Sequence, residues 1–239
     1  MDQRARIMIE VSGLTKCYGD FTAVNELSFT VQPGEVMGLV GPNGAGKTTT
    51  LGVACGLIEP TAGKVLMAGR DVTGVAPEEL VRRGVVTIPE GRGIFPNLTV
   101  RENLQMVTYG GARLADVEAT AYERFPRLGE RRKQLAGTMS GGEQQMLAMA
   151  RGLASNPALL FLDELSMGLA PLVVEELYGI VAQIARSGVS ILVIEQFART
   201  VLGVADYAAI MLNGLVRSVG RPADIEDELS AAYLGGQKP

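Results

Sequence analysis

Residues 41–48 read GPNGAGKT, which fits the phosphate-binding loop pattern G-x-x-x-x-G-K-[ST]. A short apolar run, Val36–Val40, precedes this loop, and Thr49–Cys55 follows it as the continuation of a predicted helix. A buried strand, a glycine-rich loop and a helix, in that order, form the context in which this pattern binds phosphate. The sequence therefore predicts an anion site where a strand passes into a helix.

Each residue type in this loop suits a nucleotide phosphate. Glycines let the backbone turn tightly, so that several N–H groups point at phosphate oxygens, and the helix start adds the positive end of its dipole. Lys47 brings a positive charge to the β- and γ-phosphates, and the Thr48 hydroxyl is placed to bind Mg²⁺. A glycine-rich turn that carries Lys-Thr by coincidence is the alternative, which the matched context disfavours. The predicted nucleotide-binding residues of the loop are Gly41, Pro42, Asn43, Gly44, Ala45, Gly46, Lys47, Thr48 and Thr49.

Composition and charge limit the classes of function. The chain has 239 residues, 47% hydrophobic and 20% charged, with a net charge of −4, which is typical of a globular protein and argues against a basic face for nucleic acid. Histidine is absent, and the two cysteines, Cys17 and Cys55, lack metal or redox spacing. No apolar stretch is long enough to span a bilayer, and the N-terminus lacks a signal-peptide pattern. We therefore expect a cytosolic setting and no bound nucleic acid.

The order of apolar runs predicts an α/β fold that is interrupted by a helical segment. Between residues 91 and 153 the pattern is mainly helical, starting with a capping box at Thr99–Glu102. We expect a core formed by 1–90 and 154–239, with 91–153 inserted as a helical subdomain. Asn213-Gly214 is a hairpin signal, and a final helix is predicted at Asp224–Tyr233. The main predicted strands are Ile7–Val11, Phe29–Val31, Val36–Val40, Gly63–Gly69, Val85–Ile88, Ala158–Glu164, Val189–Ile194, Asp206–Leu212 and Leu215–Val219.

Two further motifs add chemistry to the loop. The sequence SGGE at residues 140–143 begins a predicted helix whose serine N-cap and glycines suit a phosphate, although four residues alone favour a simple capped helix. An apolar strand ends in Asp163 and Glu164, at the edge where open α/β sheets bind their ligands. Asp163 is predicted to hold Mg²⁺, and Glu164 to activate the water that attacks the γ-phosphate. A strand that ends in solvated acids is the alternative.

Two further features are interpreted from the residues alone. Tyr18 stands before the loop and could stack on a nucleotide base, whereas on its own it is more typical of a half-buried strand. The basic stretch Arg131-Arg132-Lys133 is interpreted as a solvated face.

These motifs, in this order, resemble the nucleotide-binding subunits of ABC transporters over essentially the whole chain, residues 7–237. MSGGEQQ at 139–145 is similar to the family signature LSGGQ, Leu159–Asp163 to the Walker B strand, and Tyr18 to the aromatic residue that stacks on adenine. The resemblance implies a P-loop NTPase fold, with a RecA-like core, an antiparallel β subdomain and a helical signature subdomain. It implies ATP and Mg²⁺ as ligands. The signature residues implied to bind ATP are Ser140, Gly141, Gly142 and Glu143.

Three departures narrow the resemblance to one group. Glu90 stands where the family has the Q-loop glutamine, Gln196 where it has the switch histidine, and Ala170 where it has the D-loop aspartate. With FPNLTVRENL at 95–104 and AYLGG at 232–236, these resemble the LivF-type ATPases of branched-chain amino-acid importers, or their relatives for urea and short amides. Glu90 then offers Mg²⁺ an anionic ligand, and Gln196 offers the γ-phosphate a neutral hydrogen bond. Leu165 stands where that group usually has Pro.

The resemblance also implies partners. Two such subunits pair head to tail, with each ATP between one P-loop and the other signature, and the second subunit here is expected to be LivG-like. The pair would work with two membrane permease subunits at the cytoplasmic face of the membrane, and indirectly with an extracytoplasmic solute-binding protein. The predicted catalytic residues are Lys47, Glu164 and Gln196. The alternatives are a soluble ABC ATPase of translation or repair, a P-loop GTPase or kinase, and a subunit with an inactive site.

Overall fold

Two β-sheets with helices packed around them form the chain, whose computed structural model describes residues 8–91, 93–226 and 228. Ile7 and most of the helix predicted at Asp224–Tyr233 lie outside these residues. The strands are β1 (Ile9–Tyr18), β2 (Phe21–Val31), β3 (Val36–Val40), β4 (Ala62–Met67), β5 (Arg70–Asp71), β6 (Val85–Ile88), β7 (Leu159–Asp163), β8 (Ser190–Glu195), β9 (Tyr207–Leu212) and β10 (Leu215–Gly220). The helices are α1 (Lys47–Ala54), α2 (Pro77–Arg82), α3 (Val100–Gln105), α4 (Leu114–Arg124), α5 (Pro126–Glu130), α6 (Gly141–Leu153), α7 (Pro171–Arg186) and α8 (Ala198–Leu202).

The larger sheet carries the phosphate loop. Its strand order is β10-β9-β3-β8-β7-β6, and its pairs are parallel except for the antiparallel edge pair of β9 and β10. Because β3, β7 and β8 are buried along their whole length, they appear in the sequence as continuous apolar runs. The parallel arrangement brings the carboxyl ends of these three strands to one edge of the sheet.

Alternate residues of β7 enter two different buried clusters. Leu159 and Phe161 belong to the cluster that contains α1 and the antiparallel sheet, whereas Leu160 and Leu162 belong to the cluster that contains α6 and α7. The core therefore has two layers, one on each face of the larger sheet. Each of the two helices that start at a predicted phosphate site, α1 and α6, packs in one of these layers.

The smaller sheet is antiparallel, with the strand order β2-β1-β4-β5. The predicted strands Ile7–Val11 and Phe29–Val31 are too short, because β1 continues to Tyr18 and β2 already begins at Phe21. Irregular register between the two strands breaks the alternation of apolar and polar residues that would have shown their full length. Tyr18 and Phe21 therefore face each other across the tip of one hairpin.

Helices between residues 100 and 153 continue the layer that contains α6. The capping box predicted at the start of α3 is confirmed: the Glu102 N–H donates to Thr99 Oγ1 at 3.2 Å, and the Thr99 N–H donates to Glu102 Oε2 at 2.7 Å. Leu104 and Leu147 share one buried cluster with the larger sheet. The division into a core and an insertion at 91–153 stays a prediction, and the buried cluster is continuous across it.

The hairpin of β9 and β10 supports the phosphate loop. Its turn, Asn213-Gly214, is the predicted one, and the Gly214 N–H donates to the Ala45 carbonyl at 3.0 Å. The Gly214 carbonyl in turn accepts from the Asn25 N–H at 2.8 Å. A Cβ at Gly214 would lie 2.7 Å from the Ala23 carbonyl oxygen, so the turn can approach the loop only with glycine here.

Candidate nucleotide-binding site

The phosphate loop leaves β3 and enters α1, as predicted. The N-cap of α1 is Gly46, in the left-handed region with φ 96°, and no side chain caps the first turn. A Cβ at Gly46 would lie 2.5 Å from the Ala23 carbonyl oxygen, so this position requires glycine. The first N–H groups of α1 therefore have no side-chain partner, which is the arrangement that an anion can use.

Lys47 is buried against the loop that precedes it. Its Nζ donates to the carbonyl oxygens of Gly41 at 2.8 Å and Pro42 at 3.1 Å, and it lies 3.9 Å from Glu164 Oε1. Burial lowers the pKa of Lys47, while the negative charges of Glu164, Asp163 and Glu195 act in the opposite direction. The loop therefore holds the ammonium group in place before any phosphate arrives.

A cavity of about 210 Å³ opens beside the loop. Ligand pockets usually enclose roughly 300–1,000 Å³, so this cavity is small for a ligand pocket. The residues that line it are Phe21, Ala23, Asn43, Gly44, Ala45, Gly46, Lys47, Thr48, Thr49 and Glu164.

The aromatic side chain at this cavity is Phe21, which sequence reasoning missed. Phe21 is 65% exposed and lines the cavity, whereas Tyr18 does not. Tyr18 lies opposite Phe21 in the hairpin, with the Lys16 ammonium 5.0 Å from the centroid of its ring. Phe21 lines the cavity because β2 passes beside the loop, where the Ala23 carbonyl lies close to Gly46. The role of Tyr18 in stacking on adenine stays a prediction, and Phe21 is a second candidate.

Asp163 and Glu164 follow one another at the end of β7, beside the loop. Asp163 is 6% exposed, and its Oδ1 is without a hydrogen-bond partner in the part of the chain that the structure describes. Burial, together with the charges of Glu164 and Glu90, raises the pKa of Asp163 to about 6. The charge of Lys47 and the backbone N–H of Glu90 act to lower the pKa of Asp163. A buried carboxylate oxygen without a partner is unfavourable, and a cation would satisfy it.

Glu164 has an unusual backbone conformation. Its φ of 47° lies in the left-handed region, which residues with a side chain seldom adopt. The Glu164 N–H donates to the Ile194 carbonyl at 2.9 Å, which fixes this residue to the end of β8. Burial raises the pKa of the Glu164 carboxyl, and the charge of Lys47 lowers it. Backbone strain of this kind is concentrated at functional sites.

Glu90 and Gln196 lie at the ends of the strands on either side of β7. Glu90 is exposed in the turn after β6, and Gln196 follows β8 directly and is half-buried. Because β6, β7 and β8 are parallel neighbours, the residues at their carboxyl ends meet at one edge of the sheet. The structure thus places Glu90, Asp163 and Gln196 along the edge where the phosphate loop begins.

Ser140 is the N-cap of α6, as predicted. This helix start is closed, because the hydrogen-bond donors of Ser140 are already paired with a side chain of the same helix. Ser140 Oγ and the Ser140 N–H donate to Glu143 Oε2 at 2.8 and 3.0 Å. Arg131 Nε donates to Glu143 Oε1 at 2.6 Å. The interpretation of residues 131–133 as a solvated face is therefore incomplete, because Arg131 holds the capping glutamate. The binding of ATP by Glu143 stays a prediction, and it would require this carboxylate to change partners.

The signature residues and the phosphate loop do not form one site within a single chain. Of the described residues that line the loop cavity, none comes from 140–143. A second subunit is needed if both helix starts are to contact one nucleotide.

The glycine-rich loop, the parallel sheet and the carboxylates at the strand ends define a P-loop nucleoside triphosphatase. A sequence profile of the ABC transporter family matches residues 24–166. The chain belongs to the ATP-binding subunits of ABC transporters, and it is therefore an ATPase. The predicted family, fold class and ATPase activity are confirmed.

Relatives match the chain over its whole length. The high-affinity branched-chain amino acid transport ATP-binding protein BraG of Pseudomonas aeruginosa is 39% identical, over 96% of this chain and 100% of that protein. The lipopolysaccharide export system ATP-binding protein LptB of Escherichia coli is 31% identical, over 95% of this chain and 97% of that protein. A crystal structure of the ADP conformation of MJ1267, an ATP-binding cassette of an ABC transporter, has a TM-score of 0.86 and 25% identity, over 96% of this chain and 99% of that one.

ATP-binding subunits of this family dimerise and work with membrane permeases. Within residues 8–91, 93–226 and 228, no helix is both long and apolar enough to cross a bilayer.

Proposed function

We propose that this chain supplies the energy for uptake of branched-chain or other hydrophobic amino acids through an ABC importer. The observation that carries the proposal is the full-length similarity to BraG, at 39% identity. A second protein of the same organism, BraF, is 30% identical over 97% of this chain and is also named as a branched-chain amino acid transport ATP-binding protein. The existence of two such relatives in one organism supports pairing of this chain with a different, LivG-like subunit.

One ATP lies between the phosphate loop of this chain and the signature segment of its partner. The signature of this chain, residues 140–143, faces the phosphate loop of the partner in the same way. Lys47 then exchanges the carbonyls of Gly41 and Pro42 for oxygens of the β- and γ-phosphates. The uncapped first turn of α1 supports this step, because its N–H groups are available to an anion. Either Tyr18 or Phe21 stacks on the base.

Mg²⁺ fits the residues that surround the loop. Asp163 Oδ1 is buried without a partner in the described chain, and Thr48 lines the cavity. Groups of three or more potential metal ligands among His, Cys, Asp and Glu are absent from the described residues, but Mg²⁺ commonly uses one or two protein carboxylates together with phosphates and water. Thr48 and Asp163 would hold the ion, with Glu90 beside them. When bound, the ion would neutralise charge that develops on the phosphates.

Glu164 acts on the attacking water in this proposal. Its side chain lies 3.9 Å from the Lys47 ammonium, so it faces the position of the γ-phosphate. The raised pKa of Glu164 makes its carboxylate a better proton acceptor than an exposed glutamate. Gln196, at the end of the neighbouring strand, hydrogen-bonds the γ-phosphate without adding a charge.

Two permease subunits bind at the cytoplasmic face of the membrane, and an extracytoplasmic solute-binding protein acts through them. A groove of about 320 Å³ next to Glu90 supports the docking of a permease segment. Its rim carries Val81, 53% exposed, and Met106, 47% exposed, which suits the apolar face of a short helix.

The test replaces the chromosomal gene for this chain by one that encodes the Glu164→Gln variant. Uptake of labelled leucine is measured in cells, and ATP hydrolysis is measured with the purified transporter. We expect hydrolysis to fall by about 10²–10⁴-fold, as for loss of a catalytic base, with ATP binding retained and leucine uptake abolished. Glu123→Gln, an exposed glutamate of α4, is the matched control and should behave like the wild type.

The outcomes separate the alternatives. Loss of urea or short-amide uptake, with leucine uptake unchanged, would assign the chain to that related group of importers. Unchanged uptake of all these solutes would favour a soluble ABC ATPase. A preference for GTP of more than about 1.4 kcal/mol, a tenfold ratio, would favour a GTPase. Wild-type hydrolysis by Glu164→Gln would remove Glu164 from the mechanism.

A further inference from the structure

Glu195 is a buried carboxylate that has no role in the mechanism above. It ends β8, is 1% exposed and directly precedes Gln196. An ionised carboxylate is unfavourable in a protein interior unless hydrogen-bond donors surround it. Its surroundings therefore require an explanation beyond the packing of an apolar strand.

Hydrogen-bond donors from two other elements meet both oxygens of Glu195. Oε1 accepts from the Ser166 N–H at 2.8 Å and from the Tyr178 hydroxyl at 2.8 Å, and Oε2 accepts from Ser166 Oγ at 2.9 Å. Ser166 belongs to the segment that follows β7, and Tyr178 lies on α7. A carboxylate only accepts hydrogen bonds, so it satisfies all three donors at once, whereas an amide has one acceptor oxygen and would make the Ser166 hydroxyl reverse its hydrogen bond and accept.

The same residue joins the parts of the nucleotide site through its backbone. The Gly41 N–H, at the start of the phosphate loop, donates to the Glu195 carbonyl at 3.3 Å. The Glu164 N–H donates to the Ile194 carbonyl, one residue earlier on β8, at 2.9 Å. Ser166, which the Glu195 side chain holds, is two residues beyond Glu164. The phosphate loop, the predicted base and Gln196 are thus all tied to the end of one strand.

We propose that Glu195 is a positioning residue for ATP hydrolysis, which fixes the segment after β7 to the end of β8 and so sets the relative position of Glu164 and Gln196. Glu164 has a positive φ, and such a conformation persists only where the surrounding structure fixes the backbone. The Ile194 carbonyl holds the Glu164 N–H, and the Glu195 carboxylate holds Ser166, two residues further along the chain. This inference rests on the proposed roles of Glu164 and Gln196.

A matched control exists at the other end of the same strand. Ser190 begins β8, is 0% exposed, and its Oγ accepts from the Gly34 N–H at 2.9 Å. Ser190→Ala therefore removes a part-buried hydrogen bond at the start of β8, far from the site, whereas Glu195→Gln alters the hydrogen bonds at the end of β8 beside the site. If Glu195 only stabilises the fold, both variants should lower the melting temperature and neither should change turnover by folded protein.

The experiment compares wild type, Glu195→Gln, Tyr178→Phe and Ser190→Ala, each as the full chain in the assembled transporter. We expect Glu195→Gln to lower kcat for ATP by about 10–100-fold, because a small misplacement of catalytic groups has an effect of this size. The Kd for ATP should change by less than about threefold, since the phosphate loop keeps its own contacts. Tyr178→Phe, which removes one donor of three, should lower kcat less, and Ser190→Ala should leave kcat unchanged.

Hydrogen exchange of residues 164–169 in the nucleotide-free chain provides a readout that does not depend on hydrolysis. The amides of this segment should exchange faster in Glu195→Gln and Tyr178→Phe than in Ser190→Ala. If the wild type fails to hydrolyse ATP, the proposed function is wrong, and the exchange data still test the positioning role. Unchanged exchange in both variants, or a wild-type kcat with only a lower melting temperature, would overturn the inference. If Glu195→Gln does not fold, Tyr178→Phe decides by the same criteria.

Discussion

The N-termini of α1 and α6 are the two helix starts that the sequence predicts to bind phosphate; in the structure the first is open, without a side-chain cap, and the second is closed by a capping box. At α1 the N-cap is Gly46, and no side chain caps the first turn. At α6 the N-cap is Ser140, whose hydroxyl and N–H both donate to one oxygen of the Glu143 carboxylate. Arg131 donates to the other oxygen of the same carboxylate. A third helix start, at Thr99 of α3, has the same closed arrangement without any signature glycines.

This difference between the two helix starts predicts the order in which a phosphate loop and a partner's signature would engage one nucleotide. The open helix start can accept phosphate without help, because only the Lys47 ammonium must change partners. The closed one must give up hydrogen bonds to Glu143 before Ser140 can contact a phosphate. We therefore expect ATP to bind first to the loop, and the signature of the partner to engage afterwards.

Among the variants that compare the helix starts, Lys47→Ala tests the open site and should have the largest effect. The variant lacks the cation that the loop holds for the phosphates, so ATP hydrolysis should fall by about 10²–10³-fold, the usual effect of removing one donor from a transition-state oxygen. Steady-state assays measure the rate of ATP hydrolysis, and equilibrium binding of a fluorescent ATP analogue measures the affinity for the nucleotide. Lys64→Ala, at an exposed lysine of β4, is the control. Equal ATP affinity of both variants would show that the loop does not depend on its cation.

Ser140→Ala and Thr99→Ala test the closed site against its structural counterpart. Each variant loses an N-cap hydrogen bond, and each should lower the free energy of unfolding by about 1 kcal/mol. Only Ser140→Ala should also lower ATP hydrolysis by the assembled transporter, by about tenfold, because it also lacks a hydroxyl that would hydrogen-bond a charged phosphate. Denaturant unfolding and hydrolysis rates of the two variants are measured side by side. Equal loss of hydrolysis in both would make Ser140 no more than a helix cap.

Arg131→Met should have the smallest effect. Methionine keeps the apolar stem of the side chain and removes the charge that pairs with Glu143, a pair that is partly exposed. The free energy of unfolding should fall by about 0.5–1 kcal/mol, the upper part of the range for such pairs. The control is Arg113→Met, because the pair of Arg113 and Asp116 is more exposed and should contribute less. Urea titrations that show no difference between the two variants would mean that Arg131 does not hold the cap.

The sequence predicts the parts of the site that depend on neighbours along the chain. The loop, Asp163 and Glu164 each follow a buried strand directly, so a strand pattern and a short motif are enough to place them. The bonds from Ser166 to Glu195 join residues that are 29 positions apart, and no local pattern indicates them. The same holds for Phe21, which reaches the cavity because β2 packs beside the loop, and for Arg131, which lies 12 positions before Glu143. Leu165, in the place of the usual Pro, is simply buried in the core.

The hydrogen bond from Gly214 to Ala45 has a consequence for folding during translation. On a ribosome, residues 41–48 emerge long before the hairpin at 213–214 that supports them. Until that hairpin has been translated and has joined the sheet, the loop lacks one of its backbone supports. A nascent chain should therefore acquire full affinity for nucleotide only after residues 213–214 have been synthesised and β9 and β10 have paired.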